Sequence, residues 1–223
     1  MFSTAPNIDG GLAYGPGSVL FYTLFPTHRI GQIKLGSTSP DRFDNAPAAL
    51  GSSLGTLAFV PSGFAGAGKV AIASFNSGQF CLASVSPDGV GTYSVSGCGT
   101  VVNIGGGPEG ILYVPLGSLL FANPSILVSE YSAGRVVSYE LDAGGLPLVG
   151  TRRNFITGLT GAEGATLDPL TGDFFFSTFG AINQVIRVSG FAAPTPTDAI
   201  PEPTTVSLFV IGAGWAILAR KRR

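Results

Sequence analysis

The sequence predicts an all-β fold built from small repeated sheets. Glycine and proline are frequent, at 33 and 16 of 223 residues, while only 11% of the residues are charged. This composition disfavours long amphipathic helices and favours short strands joined by turns. Short apolar runs also recur along the chain at a regular spacing.

The repeat has four copies, and each begins with a glycine, a short apolar strand and a proline. The anchoring glycines are Gly11, Gly55, Gly110 and Gly164, spaced by 44, 55 and 54 residues. Second strands are predicted at 19–24, 70–75, 126–131 and 174–178, and third strands at 31–35, 78–84, 134–141 and 184–188. Units of this size with three or four strands are typical of β-propeller blades. We therefore predict a propeller-like body of about four blades over residues 1–191, with a closed or an incomplete ring. A β-sandwich is the alternative, but it does not explain the repeat.

The third and fourth units resemble the repeats of NHL and gluconolactonase-type propellers. In both units an acidic residue and a glycine lead into an apolar strand and a proline turn. The resemblance implies a divalent metal, such as calcium, held by carboxylates in this region. The candidate ligands are Glu109 and Glu163, with Asp9 near the first anchor. The second unit has Ser53 and Leu54 there instead, so the favoured interpretation is a structural role for both glutamates and no resident cofactor.

The two cysteines, Cys81 and Cys98, are predicted to form a disulfide across a hairpin. Between them lies the turn sequence Ser-Pro-Asp-Gly-Val-Gly at residues 86–91, which is rich in turn-forming residues. Residues that face each other in an antiparallel hairpin have residue numbers with a constant sum. If Cys81 and Cys98 face each other, this sum centres the turn between Gly89 and Val90. A disulfide fits an oxidising compartment. The alternative is two unpaired thiols.

The last 23 residues carry three features in a fixed order. A Pro-Glu-Pro motif at Pro201, Glu202 and Pro203 is followed by an apolar run at 204–219. The basic end consists of Arg220, Lys221, Arg222 and Arg223. We predict a transmembrane helix over 204–219, about 24 Å long against a hydrocarbon core of about 30 Å. The basic end should stay cytoplasmic, which leaves everything before Pro201 outside.

This tail closely resembles the PEP-CTERM sorting signal of Gram-negative bacteria. The resemblance implies that the membrane protease exosortase recognises Pro201, Glu202 and Pro203 and removes the apolar tail. It also implies anchoring in the inner membrane before processing, and then a place at the cell surface or in the extracellular matrix. Residues 192–200 are rich in proline and threonine and are predicted to be a linker. The alternative is an ordinary membrane anchor.

Several function classes are disfavoured. The basic end holds four of the 12 Lys and Arg residues, so the rest of the chain is net negative and has no basic patch for nucleic acid. The loop at 63–70 lacks the hydroxyl residue of a phosphate-binding loop. His28 is the sole histidine, lies in a predicted turn and is interpreted as a surface residue.

The favoured function is an exported, non-catalytic binding or structural module. Its partner would be extracellular polysaccharide or another surface protein. The alternative is a metal-dependent, lactonase-like hydrolase. Export also requires an N-terminal signal with basic and apolar residues, and residues 1–17 have neither. We therefore expect the natural chain to begin upstream, with one or more further blades.

Overall fold

The structure, a computed structural model, describes residues 3–194 as four antiparallel sheets, here called blades 1–4. Blade 1 contains β1 (Ile8–Tyr14), β2 (Leu20–Leu24), β3 (Arg29–Ile33) and β4 (Arg42–Asn45). Blade 2 contains β5 (Leu54–Phe59), β6 (Val70–Ser74), β7 (Gln79–Pro87) and β8 (Tyr93–Asn103). Blade 3 contains β9 (Pro108–Tyr113), β10 (Ser125–Glu130), β11 (Arg135–Glu140) and β12 (Arg153–Thr157). Blade 4 contains β13 (Ala162–Leu167), β14 (Phe174–Thr178) and β15 (Val185–Val188). Two short 3-10 turns lie at Pro16–Ser18 and Val149–Thr151.

The four sheets have a four-bladed β-propeller arrangement, so the all-β prediction is confirmed. Within each blade the strands pair in sequence order, and the first strand of each lies innermost. The inner strands β1, β5, β9 and β13 contact one another in that order. The four anchoring glycines of the repeat all lie on these inner strands. The structure has four separate sheets, whereas a β-sandwich would have two.

The outermost strands β4 and β12 were not predicted from the sequence. Their sequences, Arg-Phe-Asp-Asn and Arg-Asn-Phe-Ile-Thr, contain charged and amide residues and lack a long apolar run. Each lies at the edge of its sheet and is only partly buried. Edge strands commonly carry charged residues because these oppose pairing with other chains. The apolar pattern therefore underestimates the blade width.

Glycine allows the inner strands to approach one another. A Cβ at Gly55 of β5 would lie 2.0 Å from the carbonyl oxygen of Pro108, and one at Gly11 would lie 2.3 Å from the amide nitrogen of Leu57. Both distances are far shorter than van der Waals contact. Neighbouring blades therefore meet backbone to backbone at these positions, which requires a residue without a side chain.

Apolar side chains fill the spaces between consecutive blades. Phe21 and Ile30 of blade 1 pack in one cluster with Ile72 of blade 2. Similar clusters join blades 2 and 3, through residues such as Phe80 and Ile126, and blades 3 and 4, through Leu127 and Phe176 among others. Burial of this apolar surface is the main favourable term that holds the blades together.

Blade 4 and blade 1 meet differently. Among residues 3–194, no strand pairing and no hydrophobic cluster joins these two blades. The outward face of blade 1 instead forms its own cluster around Tyr22, Leu24 and Ile33. In blade 4, Val185 of β15 is 73% exposed. The inner strands β1 and β13 contact each other, but this boundary is packed less closely than the other three.

The predicted disulfide between Cys81 and Cys98 is confirmed, with a Cα–Cα distance of 5.5 Å. It joins β7 to β8 beside the core shared by blades 1 and 2. The two residues do not face each other directly, because Cys81 pairs with Val101 and Cys98 with Ala83. Two irregularities in the β7–β8 register produce this offset, and the constant-sum argument did not include bulges.

The long β7–β8 hairpin also binds blade 1 through polar contacts. The buried Gln32 accepts from the Tyr93 amide at 2.9 Å and donates to the Tyr93 carbonyl at 2.5 Å. Arg42 forms ion pairs with Asp44 at 2.7 Å and with Asp88 at 3.0 Å. Because Asp88 lies at the hairpin tip, these contacts fix the hairpin against the neighbouring blade.

The predicted linker from residue 195 onward, the sorting motif, the helix at 204–219 and the basic end lie outside the described residues. Within residues 3–194, the helical segments are too short to cross a membrane. The loop at 63–69 connects β5 to β6 and leads into a strand, which confirms its interpretation as an inter-strand connection. His28 lies in the turn between β2 and β3 and is partly buried.

Replacing both cysteines with serine should lower the free energy of unfolding by about 3 kcal/mol, because an unfolded chain without the cross-link gains conformational entropy. The loop closed by the disulfide spans 17 residues. Guanidinium unfolding followed by fluorescence measures the change. Wild-type protein in excess reductant should match the double variant. Equal stability of the oxidised wild type and the variant would contradict this prediction.

Gly55→Ala should destabilise the fold by about 1–3 kcal/mol, because the new methyl group must push β5 and β9 apart. Gly99→Ala is the matched control, since a Cβ at Gly99 meets nothing within 4 Å. Thermal unfolding of both variants separates a local steric effect from a general effect of adding a methyl group. A melting temperature equally unchanged in both would show that the inner strands tolerate side chains.

Candidate functional site

Three acidic residues occupy equivalent positions at the start of inner strands. Asp9, Glu109 and Glu163 are each the second residue of β1, β9 and β13. In all three strands the pairing register is irregular at this point, and such bulges turn a side chain out of the regular alternation. The second residue of β5 is Gly55, so blade 2 contributes no side chain. We call these three acids the acidic end.

Glu109 has the most enclosed carboxyl group of the three. The residue is 6% exposed, and its Oε2 has no hydrogen-bond partner among the described residues. A Cβ at Gly10 would lie 2.4 Å from this oxygen, and one at Gly55 would lie 3.2 Å from the carboxyl carbon. The carboxyl group therefore fits only because both neighbours are glycine. Glu163 Oε2 is likewise buried and has no hydrogen-bond partner within residues 3–194.

The surroundings of these acids favour their neutral forms. Burial, followed by the nearby Glu163 and Asp9 carboxylates, raises the pKa of Glu109 to about 9. Burial, followed by the Asp9 charge, raises the pKa of Glu163. Burial also raises the pKa of Asp9. A carboxyl group without a counter-ion in a poorly solvated site retains its proton more strongly than in water, so Glu109 is protonated at pH 7.

A cavity of about 710 Å³ follows the inner strands from Glu109 towards their other ends. The last residues of the first three inner strands are aromatic, namely Tyr14, Phe59 and Tyr113, and all three line the cavity. We call these three residues the aromatic end. Tyr113 is buried, and its hydroxyl group has no hydrogen-bond partner among the described residues. Among residues 3–194, the cavity walls contain no Lys, Arg or His.

The structure brings together the acids that the sequence singled out, but residues 3–194 do not assemble a metal site from them. Glu109 and Glu163 interact electrostatically, and Asp9 acts on both. Among residues 3–194, however, no group of three or more His, Cys, Asp or Glu side chains has the spacing to hold a metal ion. The donor set implied by the gluconolactonase resemblance therefore does not fit these residues.

Sequence reasoning missed the aromatic end, although the repeat contained a signal for it. The residue two positions before each repeat proline is Tyr14, Phe59, Tyr113 or Leu167. Aligning the repeats on their prolines reveals three aromatic residues at one position. The glycine alignment used for the strands did not show this, because Tyr14 and Tyr113 lie three residues after their anchoring glycines whereas Phe59 lies four residues after Gly55.

No family model matches the chain, and no curated protein matches its sequence. Among solved structures, hydrazine synthase of Kuenenia stuttgartiensis is similar at a TM-score of 0.50 and 13% identity, over 84% of this chain and 47% of that one. A chain of the mitotic checkpoint complex is similar at a TM-score of 0.50 and 12% identity, over 81% and 50%. Virginiamycin B lyase from Staphylococcus aureus gives a TM-score of 0.45 and 15% identity, over 87% and 58%. This chain thus spans about half the length of the first two. At these identities the similarity concerns the fold alone.

Glu109→Gln should weaken the pH dependence of stability. Between pH 4.5 and about 9, the folded protein keeps a proton on Glu109 that the unfolded chain releases. Stability contributed by this group is thus complete below pH 4.5 and falls with rising pH, by up to about 1.4 kcal/mol per pH unit. The glutamine variant lacks this loss. Guanidinium unfolding at pH 5, 6, 7 and 8 measures both slopes.

The control for this experiment is Glu140→Gln, because Glu140 forms an ion pair with the exposed Arg153 and lies away from the cavity. That variant should keep the wild-type slope. If Glu109→Gln and wild type had the same slope, Glu109 would not hold the proton.

Proposed function

We propose that this protein is exported and sorted through its C-terminal signal, and that its propeller body is a non-catalytic binding module. The observation that carries the proposal is the order of Pro201–Pro203, the apolar run at 204–219 and the basic end. An apolar helix is retained in a bilayer by its side chains, while a basic cluster remains on the cytoplasmic side. The body then lies on the outer face of the membrane.

The disulfide supports this location. Cys81 and Cys98 are bonded, and the described residues contain no free cysteine. Disulfides persist in periplasmic and extracellular proteins and are rare in the reducing cytosol. The bond closes the hairpin that contacts blade 1, so oxidation reinforces a contact between two blades.

The tail is suited to removal. At about 24 Å, a helix over residues 204–219 is shorter than the hydrocarbon core of about 30 Å, although basic side chains can extend towards the interface. Gly212 and Gly214 lower its helical stability further. Following the PEP-CTERM resemblance, exosortase in the inner membrane recognises Pro201, Glu202 and Pro203 and releases the body to the cell surface or matrix.

The body is better suited to binding than to metal-dependent hydrolysis. A lactonase-like hydrolase would need a set of carboxylate and amide ligands at one end of the channel. The acidic end has three carboxyl groups in total, and they do not form a metal-holding group within residues 3–194. We therefore favour a module that binds extracellular polysaccharide or a surface protein over the hydrolase.

Glu202→Ala should leave the full-length chain in the inner membrane, because it removes the acidic side chain of the proposed recognition motif. The control is Asp198→Ala, which removes a nearby acid from the linker and should leave processing unchanged. Both variants are expressed in the native host, and mass spectrometry identifies the C-terminus of the protein in membrane and extracellular fractions.

The wild type and Asp198→Ala should lose the apolar tail, whereas Glu202→Ala should retain it. Equal release of all three proteins would show that the motif is a linker. An intact tail in the wild type would indicate an ordinary membrane anchor.

A further inference from the structure

We propose that the axial cavity binds a small organic cation, with a protonated amine at Glu109 and an apolar body at the aromatic end. This proposal names a ligand class for the body and rests on the binding role proposed above. It depends on three observations: an enclosed carboxyl group without a partner, a cavity without basic side chains, and an aromatic wall at the other end.

The first observation is the unpartnered oxygen of Glu109. Glu109 is 6% exposed, lines the cavity, and has no partner for Oε2 among the described residues. Leaving a buried polar atom unpaired costs free energy, and the cost is larger for a charged group. A protonated amine offers up to three N–H donors and a compensating charge. It would thereby favour the ionised form of a carboxyl group that burial otherwise keeps protonated.

The second observation is that residues 3–194 supply no cation here. The described residues of the cavity wall include no Lys, Arg or His. Glu130 shows the opposite arrangement, since it is 1% exposed in the side chain and is paired with Arg135 at 2.8 Å and Arg152 at 2.5 Å. The chain can therefore neutralise a buried glutamate with arginines, and it does not do so at Glu109. The cavity therefore contains a carboxyl group without a counter-ion from its described walls, and it has room for a ligand.

The third observation is the apolar and aromatic character of the remaining wall. Tyr14, Phe59 and Tyr113 lie at the far ends of their strands, and Tyr113 packs edge to face on Phe64 at 5.0 Å. Glu109 and Tyr113 are four residues apart on β9, or about 13 Å at the rise of a strand. An apolar body would replace water along this wall, and aromatic faces also attract cations. The unpartnered Tyr113 hydroxyl group could serve a distal polar group.

A cavity with one carboxyl group at one end and an aromatic wall at the other favours an organic cation over other classes of ligand. An anion would meet the Glu109 carboxyl group and, among the described lining residues, no basic side chain. A metal ion would require several converging donors, yet only Glu109 of the three acids lines the cavity. A volume of about 710 Å³ lies within the range of small-molecule sites, which combine apolar walls with a few polar groups.

The experiment compares 4-phenylbutylammonium with 4-phenylbutanol by titration calorimetry at pH 8. These probes share an apolar body and differ in the amine. The full chain is used, purified in a nonionic detergent, as wild type, Glu109→Gln and the control Glu140→Gln. The wild type should bind the ammonium at least tenfold more tightly than the alcohol, since a hydrogen bond to a charged group contributes about 1.5–3 kcal/mol. Glu109→Gln should lose this preference, and Glu140→Gln should keep it.

Equal affinity for both probes, no binding of either, or an unchanged preference in Glu109→Gln would each overturn the proposal. Calcium chloride is titrated as well. Calcium binding that abolishes ammonium binding and disappears in Glu109→Gln would overturn it in favour of a metal site. None of these results depends on the fate of the tail, so mass spectrometry of the C-terminus tests the sorting role separately.

Discussion

The close approach of the inner strands is the constraint on which the rest of the structure depends. At Gly55 the backbone of β5 lies so near the Pro108 carbonyl that a Cβ would approach it to 2.0 Å. This approach allows the apolar faces of consecutive blades to pack against each other. It also creates the space for the Glu109 carboxyl group, which lies beside Gly10 and Gly55. The glycines that allow neighbouring inner strands to pack closely therefore also determine the shape of the acidic end.

Two buried glutamates in blade 3 illustrate how a carboxyl group can be structural or available. Glu130 accepts hydrogen bonds from Arg135 and Arg152, and Arg152 also donates to Tyr139 at 3.0 Å. Such a satisfied network fixes the sheet and leaves no capacity for a ligand. Glu109 has no counter-ion among residues 3–194 and retains its proton instead. Carboxyl groups with pKa values raised in this way are concentrated at functional sites, which favours a binding role for the cavity over a purely structural role for Glu109.

The sequence predicted the features that repeat and missed those that depend on three-dimensional contacts. The glycine anchors and apolar runs located the inner strands, because packing between blades imposes the same residue types in every unit. The cysteine pairing was predictable because a local turn determines it, whereas the register offset arises from bulges in β7 and β8. The ion pair between Arg152 and Glu130 joins positions 22 residues apart. Nothing in the local pattern distinguishes a structural arginine from a solvated one.

The end of the body differs from the predicted boundary in a way that bears on processing. Residue 191 was expected to be the last of the propeller, yet the chain remains attached beyond it. Phe191 packs on Phe174 with ring centroids 4.1 Å apart, the Ala192 amide donates to Ser118 at 3.1 Å, and Pro194 lines the cavity. These contacts fix the chain to blades 3 and 4 up to residue 194. A cut at or beyond Pro201 would fall after the last of these contacts. Under the proposed sorting, removal of the tail would thus retain all of these contacts, which is compatible with a body that binds its ligand after processing.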